Sequence, residues 1–141
     1  MADDGYVDVT ENRVRFEETD MQGIVFYGNY TIYLDETVST FFRDIGFGHD
    51  ERSGWDLHVV NVNLDYHAKA TFQDQLENSL RIDRIGDSSI ESAYACRERD
   101  TGDLLVEGSI THVAVDEEGE PVRVPDDFRT AVSEYQHFSP E

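Results

Sequence analysis

Apolar and polar positions alternate along most of this chain, and one stretch breaks the alternation. From Val7 to Glu17 the residues read as a strand, with Val7 and Val9 on one face and Val14 and Phe16 on the other. That change of face predicts a bulge or bend near Glu11. The break follows the Asp20–Tyr27 connection. Tyr30, Tyr33, Leu34, Val38, Phe41 and Ile45 recur at spacings of three and four, one stripe of an amphipathic helix. Gly28 or Asn29 is placed to cap its start, and Gly46 with Gly48 to stop it. Residues Thr37 to Thr40 are poor helix formers, so tertiary packing must hold this helix.

Everything after the helix reads as sheet. Val60, Val62, Leu64 and Tyr66 alternate with Val59, Asn61, Asn63 and Asp65 in a strand from Leu57 to Tyr66. Leu76, Leu80 and Ile82 form the next face, with a turn at Gly86-Asp87-Ser88. Ile90–Arg99 is a third run, joined by Asp100-Thr101-Gly102-Asp103 to a fourth over Leu104–Val115. A turn at Asp116–Pro121 leads to a short strand over Val122–Val124, and Pro125-Asp126-Asp127 opens a brief C-terminal helix. This is an α+β domain: a strand, a long helix, then four or five mostly antiparallel strands. The helix must lie across one face of the sheet, because its apolar stripe has nowhere else to go. One helix covers only part of such a sheet, and the leftover edge and face predict self-association as a homodimer or homotetramer, most simply through a two-fold axis.

Composition adds one extreme feature. The 141 residues carry 31 acids against 11 bases, a formal net charge of −20, and Lys69 is the only lysine. The acids are spread along the chain rather than gathered in a tail, which points to a solvated surface suited to concentrated salt, where counterions screen self-repulsion. Such a charge argues against a nucleic-acid partner and against an anionic membrane surface. The N-terminus, Met-Ala-Asp-Asp-Gly, does not read as a signal peptide and no apolar run reaches membrane-spanning length, so the expected location is the cytoplasm. With Cys96 as the only cysteine, neither an intrachain disulfide nor a thiolate metal cluster can form. His49, His58, His67, His112 and His137 show no metal-ligand spacing, so no metal is expected.

The candidate chemistry lies between Arg15 and Asp35, where a strand ends in a cluster of acids, a glycine turn follows and the apolar helix begins. That order can bring the Asp20 carboxylate near the unsatisfied N–H groups of a helix start. A base beside a ready-made oxyanion site is what acyl transfer to water needs, and neither part requires a cofactor. Gly23 lets the chain turn sharply between them.

The order of elements, with Asp20-Met-Gln-Gly23-Ile-Val-Phe-Tyr27-Gly-Asn29-Tyr30, resembles the hotdog-fold thioesterases of the 4-hydroxybenzoyl-CoA thioesterase type. Their pattern is Asp-x-x-Gly, two or three apolar residues, an aromatic or His, two more residues, then Tyr, and all of it is present. The resemblance implies an antiparallel sheet wrapped around one central helix and hydrolysis of an acyl-CoA to free acid and CoA. It also implies Asp20 as nucleophile or general base, the Tyr27 N–H as oxyanion donor, and active sites that span two subunits. Tyr27 stands where other members carry histidine, as in the hydroxybenzoyl branch, which favours an aromatic acyl group over a short or medium aliphatic one. Asp35 matches an acid in the family helix and equally fits an exposed helix position.

The substrate-binding candidates are Gly23, Asn29, Tyr30, Asp35, Asn61 and Asn63. The two strand asparagines share a face and either line the acyl pocket or cross-link a dimer interface. Arg81, Arg84, Arg97, Arg99 and Lys69 are candidates for the CoA phosphates, Cys96 reads as a buried inert thiol, Glu17 and Glu18 read as surface acids, and His67 as a structural residue near a strand end. Two rival readings stand beside the thioesterase. A hotdog dehydratase acting on 3-hydroxyacyl thioesters would place a His with an Asp or Glu beside the helix, and no His falls between Asp20 and Asp35. A non-catalytic acyl-thioester binder would keep the pocket without turnover.

Overall fold

The computed structural model describes residues 5–141; residues 1–4, which hold most of the N-terminal stretch read as lacking a signal peptide, lie outside the described residues. Strand β1 (Val7–Arg13) leads through a single 3-10 turn at Phe16–Glu18 into helix α1 (Asn29–Asp44). Strands β2 (Asp56–Tyr66), β3 (Gln75–Ile85), β4 (Ser89–Glu98) and β5 (Leu104–Val115) follow, then helix α2 (Asp126–Gln136). The five strands form one antiparallel sheet in the order β1-β3-β4-β5-β2. The expected bulge is present two to three residues earlier than the pattern suggested, as a register shift between Asp8 and Thr10. The expected strand at Val122–Val124 does not form: Pro121 makes one isolated bridge to Val115 and the Val122 N–H reaches the Ala114 carbonyl (2.9 Å), but β4 occupies that edge of β5 up to Val113 while β2 pairs along the other edge.

Helix α1 buries the predicted stripe of Tyr30, Tyr33, Leu34, Val38 and Phe41, and adds Thr37 and Phe42. Gly46, at φ +87°, ends it in the left-handed conformation. Burial of each large side chain stabilises by about 2 kcal/mol, which outweighs the weak propensity of the Thr37–Thr40 stretch. Thr37 is held further by its surroundings. Its hydroxyl donates to the Tyr33 carbonyl (2.8 Å) and accepts from the hydroxyl of Thr10 in β1 (2.8 Å). The helix packs on β1 and β3, at one side of the sheet.

The two sheet edges are finished differently. Strand β3 overhangs β1, and its free edge groups at Ile82 are met by a side chain: Gln136 Nε2 donates to the Ile82 carbonyl (2.9 Å) and its Oε1 accepts the Ile82 N–H (3.0 Å). Glu141 then extends the ladder beyond Ile82, with its N–H to the Asp83 carbonyl and its carbonyl to the Ile85 N–H, both 2.8 Å. At the other side β2 has no strand partner on its outer edge among the described residues, and Val59, Val60, Val62 and Tyr66 are exposed along it.

Two positions define the packing tolerance. Gly108 in β5 faces Leu64 across the ladder, and a Cβ there would collide with the Asn63 carbonyl oxygen and sit 2.9 Å from the Leu64 Cα. His112, also in β5, is buried against the Phe42 ring at 5.6 Å and its Nδ1 has no partner. Burial, reinforced by the Arg52 guanidinium, pushes its pKa down to about 4.

Gly108→Ala is expected to cost about 3 kcal/mol in a urea melt, because the obstacle is backbone that cannot rotate away. His112 should give a pH signature. The unfolded chain takes up the imidazole proton at the ordinary value near 6.5 and the folded chain only near 4, so the parent loses stability as pH falls through that window. Relative to His112→Phe, the parent should therefore lose about 3 kcal/mol of unfolding free energy between pH 7 and pH 4. A constant difference across that range would refute the assignment.

Candidate active site

The segment between β1 and α1 is assembled from short backbone links. Val14 is buried and exchanges backbone bonds with the Gln73–Asp74 turn, its N–H to the Asp74 carbonyl and its carbonyl to the Gln73 N–H (2.9 Å each). After the 3-10 turn, Thr19 bridges Val25, the Asp20 N–H donates to the Ile24 carbonyl (2.9 Å), and the Gly23 N–H returns to the Asp20 carbonyl (2.9 Å). Residues 19–25 are thus a miniature hairpin. Gly23 sits at φ +79°, and nothing lies within 4 Å of where its Cβ would be. Glycine is needed there for its backbone angle, and the open space beside it is a consequence of exposure. The Asp20 side chain accepts the Gln22 N–H at Oδ1 (2.8 Å), which orients the carboxylate within the turn.

The hairpin returns directly into the helix. Val25 is pinned to the Ala70 carbonyl and Phe26 to the Glu18 carbonyl, both at 2.9 Å. The N–H groups of Asn29, Tyr30 and Thr31 bond back to the carbonyls of Phe26, Tyr27 and Gly28 at 2.9, 3.3 and 3.2 Å. The N–H groups of Tyr27 and Gly28 donate to no acceptor among the described residues. Gly28 occupies the cap position with a helical backbone and no capping side chain, and no acid stands in the first turn of α1. A helix start in this state presents free donors and the positive end of its dipole to whatever approaches.

Asn29 directs its side chain inward instead of capping: Nδ2 donates to the Glu18 carbonyl (2.9 Å). Glu18, expected to be a surface acid, is an interior hub. Its side chain is 14% exposed and accepts from the Arg15 N–H (3.0 Å), the Arg15 guanidinium (2.9 Å) and the Tyr33 hydroxyl (2.9 Å). Burial works against its charged form, and these bonds outweigh it, holding the carboxyl below the usual range. No sequence pattern signals this, because the partner Tyr33 lies fifteen residues away on the helix. Glu17 is the surface acid that was expected, 70% exposed.

A cleft of about 180 Å³ opens beside the helix start, lined among others by Val25, Tyr27, Tyr30, Tyr66, His67 and Lys69. Tyr30 is buried; Tyr27 is 65% exposed, and the Tyr66 hydroxyl donates to its carbonyl (3.2 Å). His67 Nε2 lies 2.9 Å from Glu107 Oε2. Asp20 is not among the lining residues, and Asn61, Asn63 and Asp35 stand apart from the cleft as well. Asn63 Nδ2 donates to Asn61 Oδ1 (2.6 Å) on the exposed β2 edge, and Asp35 is exposed on α1. The cleft thus brings together Tyr27, Tyr30 and Lys69 but not Asp20, Asp35 or the two asparagines.

Of the basic candidates, Lys69 alone lines this cleft. Arg81 pairs with Asp83 and lies over the rings of Tyr6 and Phe138, Arg97 donates to the Gly102 carbonyl (3.1 Å), and Arg99 pairs with Glu11 (3.4 Å). A larger concavity, about 640 Å³, lies near His49, Arg52, Trp55, Asp56 and His58 at the start of β2. Asp56 there already pairs with Arg52 (2.6 Å) and His49 (3.3 Å). Among the described residues no three of His, Cys, Asp or Glu converge as a metal site. Cys96 is fully buried, and desolvation pushes its thiol up to about 12.

Comparison with known proteins agrees with this architecture. Residues 14–132 match the model of the thioesterase-like superfamily. The Bacillus subtilis protein named "Putative acyl-CoA thioesterase YneP" is 25% identical over 115 residues, covering 80% of this chain and 83% of that one. The PA5185 protein of Pseudomonas aeruginosa superposes with a TM-score of 0.84 at 25% identity, over 97% of this chain and 96% of that one. A 1,4-dihydroxy-2-naphthoyl-CoA thioesterase from Synechocystis, at 19% identity, shares the fold with a TM-score of 0.84 over 92% and 98% of the two chains. With strands β2 to β5, the central helix and the Asp20–Tyr30 segment inside the matched region, the chain belongs to the thioesterase-like superfamily and is a thioester hydrolase of the hotdog fold.

Proposed function

We propose that this enzyme hydrolyses an acyl-CoA to the free acid and CoA at the start of α1, with Asp20 as base or nucleophile. The reading is carried by one observation: the Tyr27 and Gly28 N–H groups are left without acceptors at an uncapped helix start, while the Asp20 hairpin is clamped to the same turn. In the general-base form, Asp20 takes a proton from water as its oxygen adds to the thioester carbon. The carbonyl oxygen becomes an oxyanion that accepts from the Tyr27 N–H. Collapse breaks the C–S bond, and the proton held by Asp20 leaves with the CoA sulfur. In the nucleophilic form, Asp20 itself adds to the carbon, the C–S bond breaks to release CoA thiolate, and water then hydrolyses the resulting anhydride to the free acid and the Asp20 carboxylate. Each preorganised oxyanion donor supplies about 10²–10³ in rate, and a positioned base about 10²–10⁴. Tyr27, Tyr30 and Tyr66 around the cleft support an aromatic acyl group, and Lys69 is the cation best placed for a CoA phosphate.

A second copy completes the site in this reading. The open β2 edge with its exposed valines is the surface to be covered, and Asn61 and Asn63 lie on it. The dispersed negative charge suits function in concentrated salt.

Release of free thiol from aromatic and aliphatic acyl-CoAs in multimolar KCl should show turnover by the parent, with Asp20→Ala reducing kcat by about 10²–10⁴-fold while retaining the fold. No turnover by folded parent on any acyl-CoA would replace the enzyme with a non-catalytic acyl-thioester binder. Light scattering of the parent should give a dimer or tetramer. Val60→Glu with Val62→Glu should shift it toward the monomer and reduce turnover in parallel; a monomeric parent with full activity would exclude the shared site.

A further inference from the structure

Glu18 uses both ends of one residue to join every element that meets at the helix start. Its carbonyl accepts the Phe26 N–H and the Asn29 side-chain amide, both at 2.9 Å, which fixes the hairpin's return strand and the first residue of α1 to one oxygen. Its carboxylate accepts the Arg15 N–H at 3.0 Å and the Arg15 guanidinium at 2.9 Å, which closes the 3-10 turn before the hairpin. The same carboxylate accepts the hydroxyl of Tyr33 at 2.9 Å, and Tyr33 is buried in the face of α1 that packs on the sheet. The next residue, Thr19, begins the hairpin through its bridge to Val25, and the one after is Asp20. The orientation of Asp20 relative to the helix is thus set by no side-chain contact of its own with α1. Among the described residues, the only side-chain bond of Asp20 is to the Gln22 N–H within its own turn.

We propose that Glu18 is a positioning residue for the hydrolysis, fixing the Asp20 hairpin against α1 so that its carboxylate holds a constant station relative to the start of the helix. This rests on the assignment of Asp20 as base or nucleophile. The physical reason is leverage. A hairpin of seven residues whose tip, Met21 to Gly23, is exposed can pivot about its ends; buried Val25 anchors the return end, and the Glu18 carboxylate is the link from the first end to the packed core. Displacement of a reacting group by about 1 Å, through a change outside the chemistry, is enough to cost about 100-fold in rate. Tyr33 is the core anchor of this link, and Arg15 keeps the carboxylate charged and turned inward.

The test is single-turnover release of CoA with enzyme in excess, which makes slow residual rates readable, on the parent, Glu18→Ala, Glu18→Gln and Asp20→Ala, and on Glu18→Ala combined with Asp20→Ala. Glu18→Ala should slow release by about 10–100-fold. Glu18→Gln keeps an oxygen for Tyr33 and the Arg15 N–H and should recover most of the rate. The decisive reading is the double variant: once Asp20 is gone, removing Glu18 should change the residual rate less than about twofold. Glu17→Ala, on the neighbouring exposed acid, should leave the rate unchanged.

A merely structural role would lower the folded fraction, and so would lower the rate by the same factor with or without Asp20; that result overturns the proposal. A Glu18→Ala rate within twofold of the parent overturns it as well, while leaving the Asp20 assignment intact. No release by the folded parent, or release that survives Asp20→Ala, removes the catalytic assignment and the positioning role with it.

Discussion

Burial of the α1 stripe against β1 and β3 is the constraint from which the rest of the structure follows. A helix with one apolar face of Tyr30, Tyr33, Leu34, Val38, Phe41 and Phe42 has a single rotational setting on the sheet. Once that setting is fixed, the position and direction of its N-terminus are fixed too. The Thr10–Thr37 hydroxyl contact and the Tyr33–Glu18 bond work within the same interface, tying β1 and the entry loop to the helix. What protrudes at its start is then a rigid pair of N–H groups, and rigidity is what lets a donor favour a developing charge without first reorganising.

Electrostatics sharpen the same point. This chain places acids almost everywhere, 31 of them, and the usual place to gain from an acid is the first turn of a helix. Helix α2 follows that rule with Asp126 and Asp127. Helix α1 does not, having no acid in its first turn and no capping side chain at Gly28. A carboxylate or hydroxyl there would satisfy the free N–H groups and repel a negative ligand. The forgone capping energy, about 1 kcal/mol, is small against the burial that already holds the helix. Stability taken from the packed face leaves the start of the helix free for another use.

The fold was legible in the sequence wherever periodicity carried it. The α1 stripe, the later alternating strands and the Gly86 and Gly102 turns are local patterns, and the structure has them within one or two residues, whereas the first strand ends at Arg13 instead of Glu17 because the chain turns at Phe16–Glu18. Failures fall where a partner distant in sequence decides the outcome. Val122–Val124 alternates well enough but finds no room beside its neighbour β5, which already pairs with β4 and β2. The length of β3 beyond β1 is satisfied by Gln136 and Glu141, some fifty residues on, which no strand pattern anticipates. At the site, Gly23 and the free Tyr27 N–H follow from turn and helix-start chemistry, and the spacing of Asp20, Gly23 and Tyr27 is readable as a motif. Glu18 is not. As one acid in a run of Glu17, Glu18 and Asp20, it is distinguished only by the Tyr33 hydroxyl that the folded helix brings to it.

That division has a consequence for the shape of the site. Local signals specify the parts contributed by one continuous segment, from Arg15 to Tyr30, and this segment is compact and internally bonded in a single chain. The remaining candidates, Asn61 and Asn63, lie on the open β2 edge at the opposite end of the strand order from β1, and the small cleft beside the helix start reaches only Tyr66, His67 and Lys69 near the end of that strand. On the proposed function, an acyl-CoA is far larger than a cleft of about 180 Å³ and needs further walls. The edge that leaves backbone groups unpaired and valines exposed is the proposed source of those walls. Pairing it with another copy would satisfy the ladder, bury the apolar positions and enlarge the cleft in one step. On that reading, self-association and substrate binding become a single structural requirement.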